Sequence, residues 1–227
     1  MPSATLTTIA WISLITAAVC ALIILVDIRV RGHRQRMTVM EWVWPITALY
    51  LGVLGLTFYW LVGRRGSTKY EREHGERDFP YWVRVGVSAT HCGGGCTLGD
   101  IVAETLIYVL GFTLFGAAIY ASFAFDYAFA LAFGIAFQYS AIRAMSSRSR
   151  RSTLTQAAKA DVWSLTAFEV GLFTWMALMW WVFFPDPHLT PNFAAYWFMM
   201  QIGMAIGLLT SYPMNHLLIR QGIKEAM

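Results

Sequence analysis

Apolar residues run along this chain in blocks of about 20, the length of an α-helix that crosses a hydrocarbon core, and polar residues separate the blocks rather than alternate within them. The blocks cover Leu6 to Val26, about Trp42 to Val62, about Thr97 to Phe123, about Tyr127 to Met145, about Val162 to Phe184 and about Phe193 to Ile219. The pattern predicts an all-α fold, a polytopic transmembrane helix bundle of about six spans in one domain, residues 1–227. Polar loops are expected at about 63–80 and 146–161, and a tight connection around Asp126. A short amphipathic stretch, Tyr81 to Ala89, leads into a Gly-rich Cys loop at the start of the third span. That stretch reads as a half-helix dipping into the membrane, since irregular backbone at depth is tolerated where protein or water covers it.

Composition agrees with a bilayer. Hydrophobic residues make up 57% and charged residues 13% of the chain, against about 45–50% and about 25% in soluble domains. Trp42, Trp44, Trp60, Trp180 and Trp181 fall near span ends, as interfacial belts require. The first block has no basic flank before it and meets Asp27, Arg29 and Arg31 rather than a small-residue cleavage site, so it reads as a retained helix. The net charge of +4 comes from arginines at span ends, where topology and lipid headgroups explain them, and no nucleic-acid motif is present. An even number of spans puts both termini on one side, and most basic residues with them, which favours cytoplasmic termini in an inner (cytoplasmic) membrane. The four arginines Arg29, Arg31, Arg34 and Arg36 argue the other way, and an extra half-span before the cysteines would reconcile them. The segment GRRGSTKYEREHGERDFPYW is a solvated mixed-charge loop, and RAMSSRSRRSTLTQAAK reads as an orientation signal.

The chemistry concentrates in ATHCGGGCTLGDIVAE, residues 89–104. Thr97 and Asp100 match a capping box at a helix start, and the glycines ahead permit a tightly turned loop. No Gly-Lys-Ser/Thr follows, so this is not a P-loop. Capping leaves His91, Cys92 and Cys96 unexplained. A cysteine at a helix N-terminus beside an imidazole is disposed to the thiolate form, and two thiolates with a histidine on one loop can converge on a soft ion, copper or zinc. Three ligands from one loop make half a site. Cys20, alone in the first span, reads as a small buried hydrophobe.

Carboxylates inside apolar blocks point the same way, because a charge at membrane depth is costly and marks an ion or proton route. Asp100, Glu104 and Tyr108 recur every fourth residue as a ladder down one helix face, and Glu169 lies inside the fifth span with Asp161 at its head. In the last span Met200, Met204 and Gln201 can share an inward stripe, and thioethers are neutral soft ligands for Cu(I). Methionine is equally ordinary packing filler, and Met199 is read that way. Pro213 is expected to kink this helix. His216 reads as interfacial and His188 as solvent-exposed.

Three motifs together, ATHCGGGCTLGD, KADVWSLTAFEVG and FMMQIGMAIGLLTSYPMNHLLIRQGIKEAM, resemble an uncharacterised prokaryotic integral membrane family, domain of unknown function 4396, over roughly residues 36–227. The resemblance implies a multi-helix membrane protein and no established activity. The residues themselves support three readings. The first is binding or transport of a transition-metal ion, most plausibly Cu(I), by His91, Cys92 and Cys96, with Asp100, Glu104 and Glu169 as an inner polar path and Met200 and Met204 as soft sites. The second is a thiol-disulfide oxidoreductase using Cys92 and Cys96, for which a relaying cysteine pair is missing. The third is a non-catalytic subunit in which polar residues glue helices together. The chain is therefore read as a non-enzyme first, with the lipid bilayer and a metal ion as partners and self-association or a membrane partner left open.

Overall fold

The computed structural model describes residues 2–145 and 150–225. Among them are eight α-helices in chain order: α1 (Ala4–Arg29), α2 (Met40–Leu51), α3 (Val53–Phe58), α4 (Thr68–His74), α5 (Tyr81–Leu110), α6 (Ala118–Met145), α7 (Arg150–Leu178) and α8 (Ala194–Arg220). A turn of π-helix extends α3 over Tyr59–Gly63 and α7 over Met179–Phe183. The all-α transmembrane bundle is therefore as the hydrophobic pattern predicts. Five helices, α1 and α5 to α8, are long and apolar enough to cross a membrane.

The second expected span, Trp42 to Val62, is not one straight helix. In one straight helix Trp44 and Tyr59 would stand about 22 Å apart, yet their rings lie 5.8 Å apart, and Trp44 also meets Phe58 at 5.4 Å. The chain reverses at Gly52, whose φ of 57° suits glycine. Beyond it α3 returns along α2 so closely that a Cβ on Gly55 would sit 2.9 Å from Ala48 Cα. Residues 40–63 thus form a re-entrant helical hairpin whose two feet share one end of the bundle. Those feet are tied by the Gln35–Ser67 bridge and by Thr68 N donating to Arg34 O at 3.0 Å. Buried Asp27 at the end of α1 accepts a hydrogen bond from Tyr59 Oη at 2.8 Å and pairs with Arg64 and His33, both at 3.3 Å. Arg34 grips Glu41 at 2.7 Å.

At the tip, α2 ends inside the bundle with carbonyls that no further turn of helix can satisfy. Gln201 of α8 donates through Nε2 to Leu49 O at 2.6 Å, and Ser13 of α1 donates to Gln201 Oε1 at 2.7 Å. One glutamine thus joins the hairpin to the helices on either side of it.

Other boundaries move as well. Residues 81–110 are one continuous helix, so Tyr81 to Ala89 is the first part of a span, and the glycine–cysteine segment expected to be a loop lies mid-helix. The reason is packing. A Cβ on Gly95 would meet Gly134 Cα at 2.8 Å, and one on Gly99 would meet Ala130 N at 2.5 Å. These are small residues four apart on α5 facing small residues four apart on α6, the arrangement that lets membrane helices approach closely. The connection expected at Asp126 falls instead at residues 111–117, and Asp126 is inside α6. Residues 150–161, expected as loop, are helix; residues 146–149 of the basic segment lie outside the described residues.

The odd number of long apolar helices leaves the start of α1 and the end of α8 at opposite ends of the bundle, where an even number of spans was expected. A short helical hairpin does precede the cysteines, at residues 40–63, upstream of the Tyr81 to Ala89 stretch expected as a half-helix. With it in place, no lysine or arginine occurs in residues 1–28, 85–142 or 160–219. The end opposite the hairpin feet, with residues 2–3, 111–117 and 184–193, therefore holds no lysine or arginine. The feet, α4 and the end of α8 gather them at the other.

The glycine contact gives a direct test. Gly99→Ala is expected to destabilise the bundle by about 3 kcal/mol, the upper end of the overpacking range, read as a lowered melting temperature in detergent. Gly86→Ala, where a Cβ has only ordinary contact, should be neutral or raise stability by up to about 1 kcal/mol.

Candidate functional site

Helical periodicity, once α5 is continuous, aligns Cys92, Cys96, Asp100 and Glu104 on one face, each a turn below the last. All four are buried. The face turns inward because α5 packs on α6, α7, α8 and the hairpin at once. The expected ladder therefore begins two turns earlier than Asp100 and stops at Glu104, since Tyr108 is exposed.

Around this stripe stand side chains from every neighbouring element. Ser164 of α7 donates to Cys92 Sγ at 3.3 Å. Cys96 lies beside both Cys92 and Glu169 of α7. Tyr50 from the hairpin tip brings its hydroxyl over Gly93, where a Cβ would stand 3.1 Å from it, and so close to the two thiols. Asp100 is within electrostatic reach of Glu169 and Glu104, and Asp126 of α6 adjoins Glu104. Tyr196 of α8 donates to Glu104 Oε2. Among the described residues, neither oxygen of Asp100 has a hydrogen-bond partner, and Asp126 and Glu169 have none beyond the adjoining Glu104 carboxyl and Cys96 thiol. A buried carboxylate without a donor or a cation is costly in its ionised form, so this cluster is the least ordinary part of the bundle and the candidate site.

The structure separates some residues that the sequence reading joined. His91 is one position round the helix from Cys92, and its ring meets Phe137 of α6 at 6.3 Å, near Asp161 and Lys224. It does not share the face of Cys92 and Cys96. Met200 and Met204 are buried in the same apolar core as both cysteines. Asp126, Tyr50, Tyr196, Ser164 and Lys224 join the site without having been foreseen. Asp126 alone carried a signal, as an acidic residue between two apolar runs.

The continuous helix also limits thiol chemistry. Residues i and i+4 have Cβ atoms about 5–6 Å apart, whereas a disulfide needs about 3.5–4.5 Å. Cys92 and Cys96 are free thiols, and the flexible-loop route to a disulfide does not exist while α5 is helical. Among the described residues no group of three or more His, Cys, Asp or Glu side chains is placed to hold a metal ion. The donors fit a two-sulfur site better than a tetrahedral one.

A cavity of about 170 Å³ opens at the end without lysine or arginine, and Glu104 and Tyr196 line it with Tyr108, Ser122 and Trp180. Read from that cavity, polar side chains succeed one another through the bundle: Glu104 with Asp126, Asp100 with Glu169, Cys96, Cys92, Ser164, Asp161.

The class is thus a transmembrane helical bundle with a buried carboxylate–thiol core. A family model described as a domain of unknown function (DUF4396) matches residues 81–224. That is more than half of the chain, so the chain belongs to this family. The match takes in α5 to α8 and the segment after α8, and it starts at the first residue of α5 rather than near residue 36. No curated protein and no solved structure matches the chain.

The Tyr196–Glu104 bond is testable by a double-mutant cycle. Tyr196→Phe should cost about 1–3 kcal/mol by leaving a buried carboxylate oxygen unsatisfied, and that loss should shrink in the Glu104→Gln background, both read by melting in detergent.

Proposed function

We propose that this protein binds a cation within the membrane and carries it across, and that the cargo is a soft transition-metal ion, Cu(I) in particular. The observation that carries the reading is the file of buried polar groups from the Glu104 cavity to Asp161. It runs through the buried interior of the bundle, where an unpaired carboxylate is costly, and most of its carboxyl oxygens lack a donor. The thiols at its middle supply selectivity: soft sulfur ligands favour Cu(I) over the hard ions that carboxylates alone would take. Cys92 and Cys96, a turn apart and side by side, would hold the ion from two sides, and Glu169 would balance its charge. Asp100, Glu104 and Asp126 would pass it to the cavity, since conduction requires successive sites that each bind weakly enough to release. Zinc, which prefers four ligands, is less well served by these donors.

The same reading orients the molecule in a cytoplasmic membrane. By the positive-inside rule the hairpin feet, α4 and the end of α8 face the cytoplasm, and the Glu104 cavity and the N-terminal residues face the other side.

Protein purified anaerobically under reducing conditions should contain near-stoichiometric copper. Cys92→Ser/Cys96→Ser should lose it, and Glu169→Gln should lower copper uptake into vesicles at least tenfold. Copper content and flux unchanged in both variants would overturn the assignment. Orientation is checked separately: a fluorescent protein that matures only in the cytoplasm should light up when fused after residue 227 and stay dark when fused before residue 1.

A further inference from the structure

The most unusual residue at the cytoplasmic end is Lys224. It follows α8, where the chain turns back at Gly222, φ 69°, and Lys224 N bonds Leu218 O at 3.3 Å. Its side chain is fully buried. The ammonium Nζ lies 3.4 Å from Asp161 Oδ1 and 3.4 Å from Ser164 Oγ. Ser164 Oγ is in turn 3.3 Å from Cys92 Sγ. Burying a lysine ammonium gives up its hydration. It is found instead one hydroxyl away from the first thiol of the file. The segment matched by the family model ends at this residue, so the tail belongs to the domain and is no appendage.

We infer that Asp161, Ser164 and Cys92 form a cation site at the cytoplasmic end of the file, and that the C-terminal tail fills it with its own Lys224 ammonium. Asp161 Oδ2 has no hydrogen-bond partner among the described residues, so the carboxylate is not saturated by the lysine and can accept a second donor or an ion. The site takes a monovalent cation of alkylammonium size. With Lys224 seated, Cys92 is closed to the cytoplasm; withdrawal of the tail opens it and leaves Asp161 and Cys92 for an arriving or departing ion. The gating role rests on the transport reading above, whereas occupation of the site by Lys224 does not.

Two charged thiol reagents of similar size separate the two. In purified protein, modification of Cys92 by methanethiosulfonate ethylammonium and by its anionic ethylsulfonate analogue is followed by mass spectrometry, with buried Cys20 of α1 as the reporter of lost fold. In the native chain Cys92 should react slowly with both. Lys224→Gln, and a chain ending at Gly222, should raise its rate with the cationic reagent at least tenfold, more than with the anionic one, and Cys20 should stay unreactive. Added propylammonium should slow Cys92 again in the shortened chain. Asp161→Asn introduced beside Lys224→Gln should abolish the preference for the cationic reagent. An unchanged Cys92 rate with Cys20 protected overturns the proposal, as does an increase without charge preference. If Lys224→Gln exposes Cys20 too, Lys224→Arg decides: protection of Cys92 as in the native chain upholds the site, and its loss in a folded protein overturns it. None of these rates depends on copper, so absence of copper from the native protein would remove the transport reading and leave this result standing.

Discussion

The close approach of α5 to α6 is the contact on which the remaining architecture depends. In lipid there is no hydrophobic force to drive two apolar helices together, because the acyl chains are as apolar as leucine; association needs backbones near enough for dispersion and weak polar contacts to add up. Gly95 and Gly99 against Ala130 and Gly134 supply that nearness. With α6 drawn onto one flank, α5 is enclosed by α7, α8 and the hairpin on its others, and the stripe from Cys92 to Glu104 has nowhere to face but inward. The glycines that give the cysteine segment its look of a loop are therefore what makes α5 the most enclosed of the five long helices.

The hairpin solves a different problem with the same chemistry. A helix that stops halfway through a bundle leaves carbonyls without donors, which a bilayer does not forgive and a protein interior tolerates only if something reaches them. Gln201 does so at Leu49, and its own carbonyl is taken by Ser13. The feet are held by charge: Asp27 and Glu41 are buried acids clasped by arginines and a tyrosine. Held at both ends, the tip delivers Tyr50 to the thiols. A continuous span in this position would have passed the site without turning a residue toward it.

Much of this was legible in the sequence, and the misses have physical causes. Apolar blocks gave the helical bundle, and the four-residue spacing of Asp100 and Glu104 gave the ladder, because both depend on local periodicity. Hydropathy cannot see direction, so LYLGVLGL read as the middle of a span when Gly52 reverses it. Glycine is ambiguous in the same way: without knowing that α6 presents Ala130 and Gly134, a triple glycine favours a turn. The capping-box reading of Thr97 and Asp100 followed from that error and placed the helix start four turns too late. His91, Cys92 and Cys96 were grouped because a loop can gather neighbours, whereas a helix sends residues 91 and 92 to different faces. Lys224 could not be found at all, since its meaning comes from a partner 63 positions earlier.

The distribution of charge ties these pieces together. Among the described residues the lysines and arginines lie toward the end that carries the hairpin feet, and the one ammonium among them that reaches the buried file is Lys224, from that same end. The acids have the opposite arrangement: beyond Asp161 they continue inward as Glu169, Asp100, Asp126 and Glu104 with no basic side chain opposite them among the described residues. A permanent arginine at Glu169 or Asp100 would satisfy the carboxylates and fix the bundle more firmly, yet it would also neutralise the file for any mobile cation. On the transport reading proposed above, inner acids without a built-in counter-charge, beside a lysine on a short tether at one end, would keep the site available to a cation that comes and goes. On that reading the asymmetry has a use that polar residues acting only as glue between helices would lack, for glue is strongest when every donor meets an acceptor.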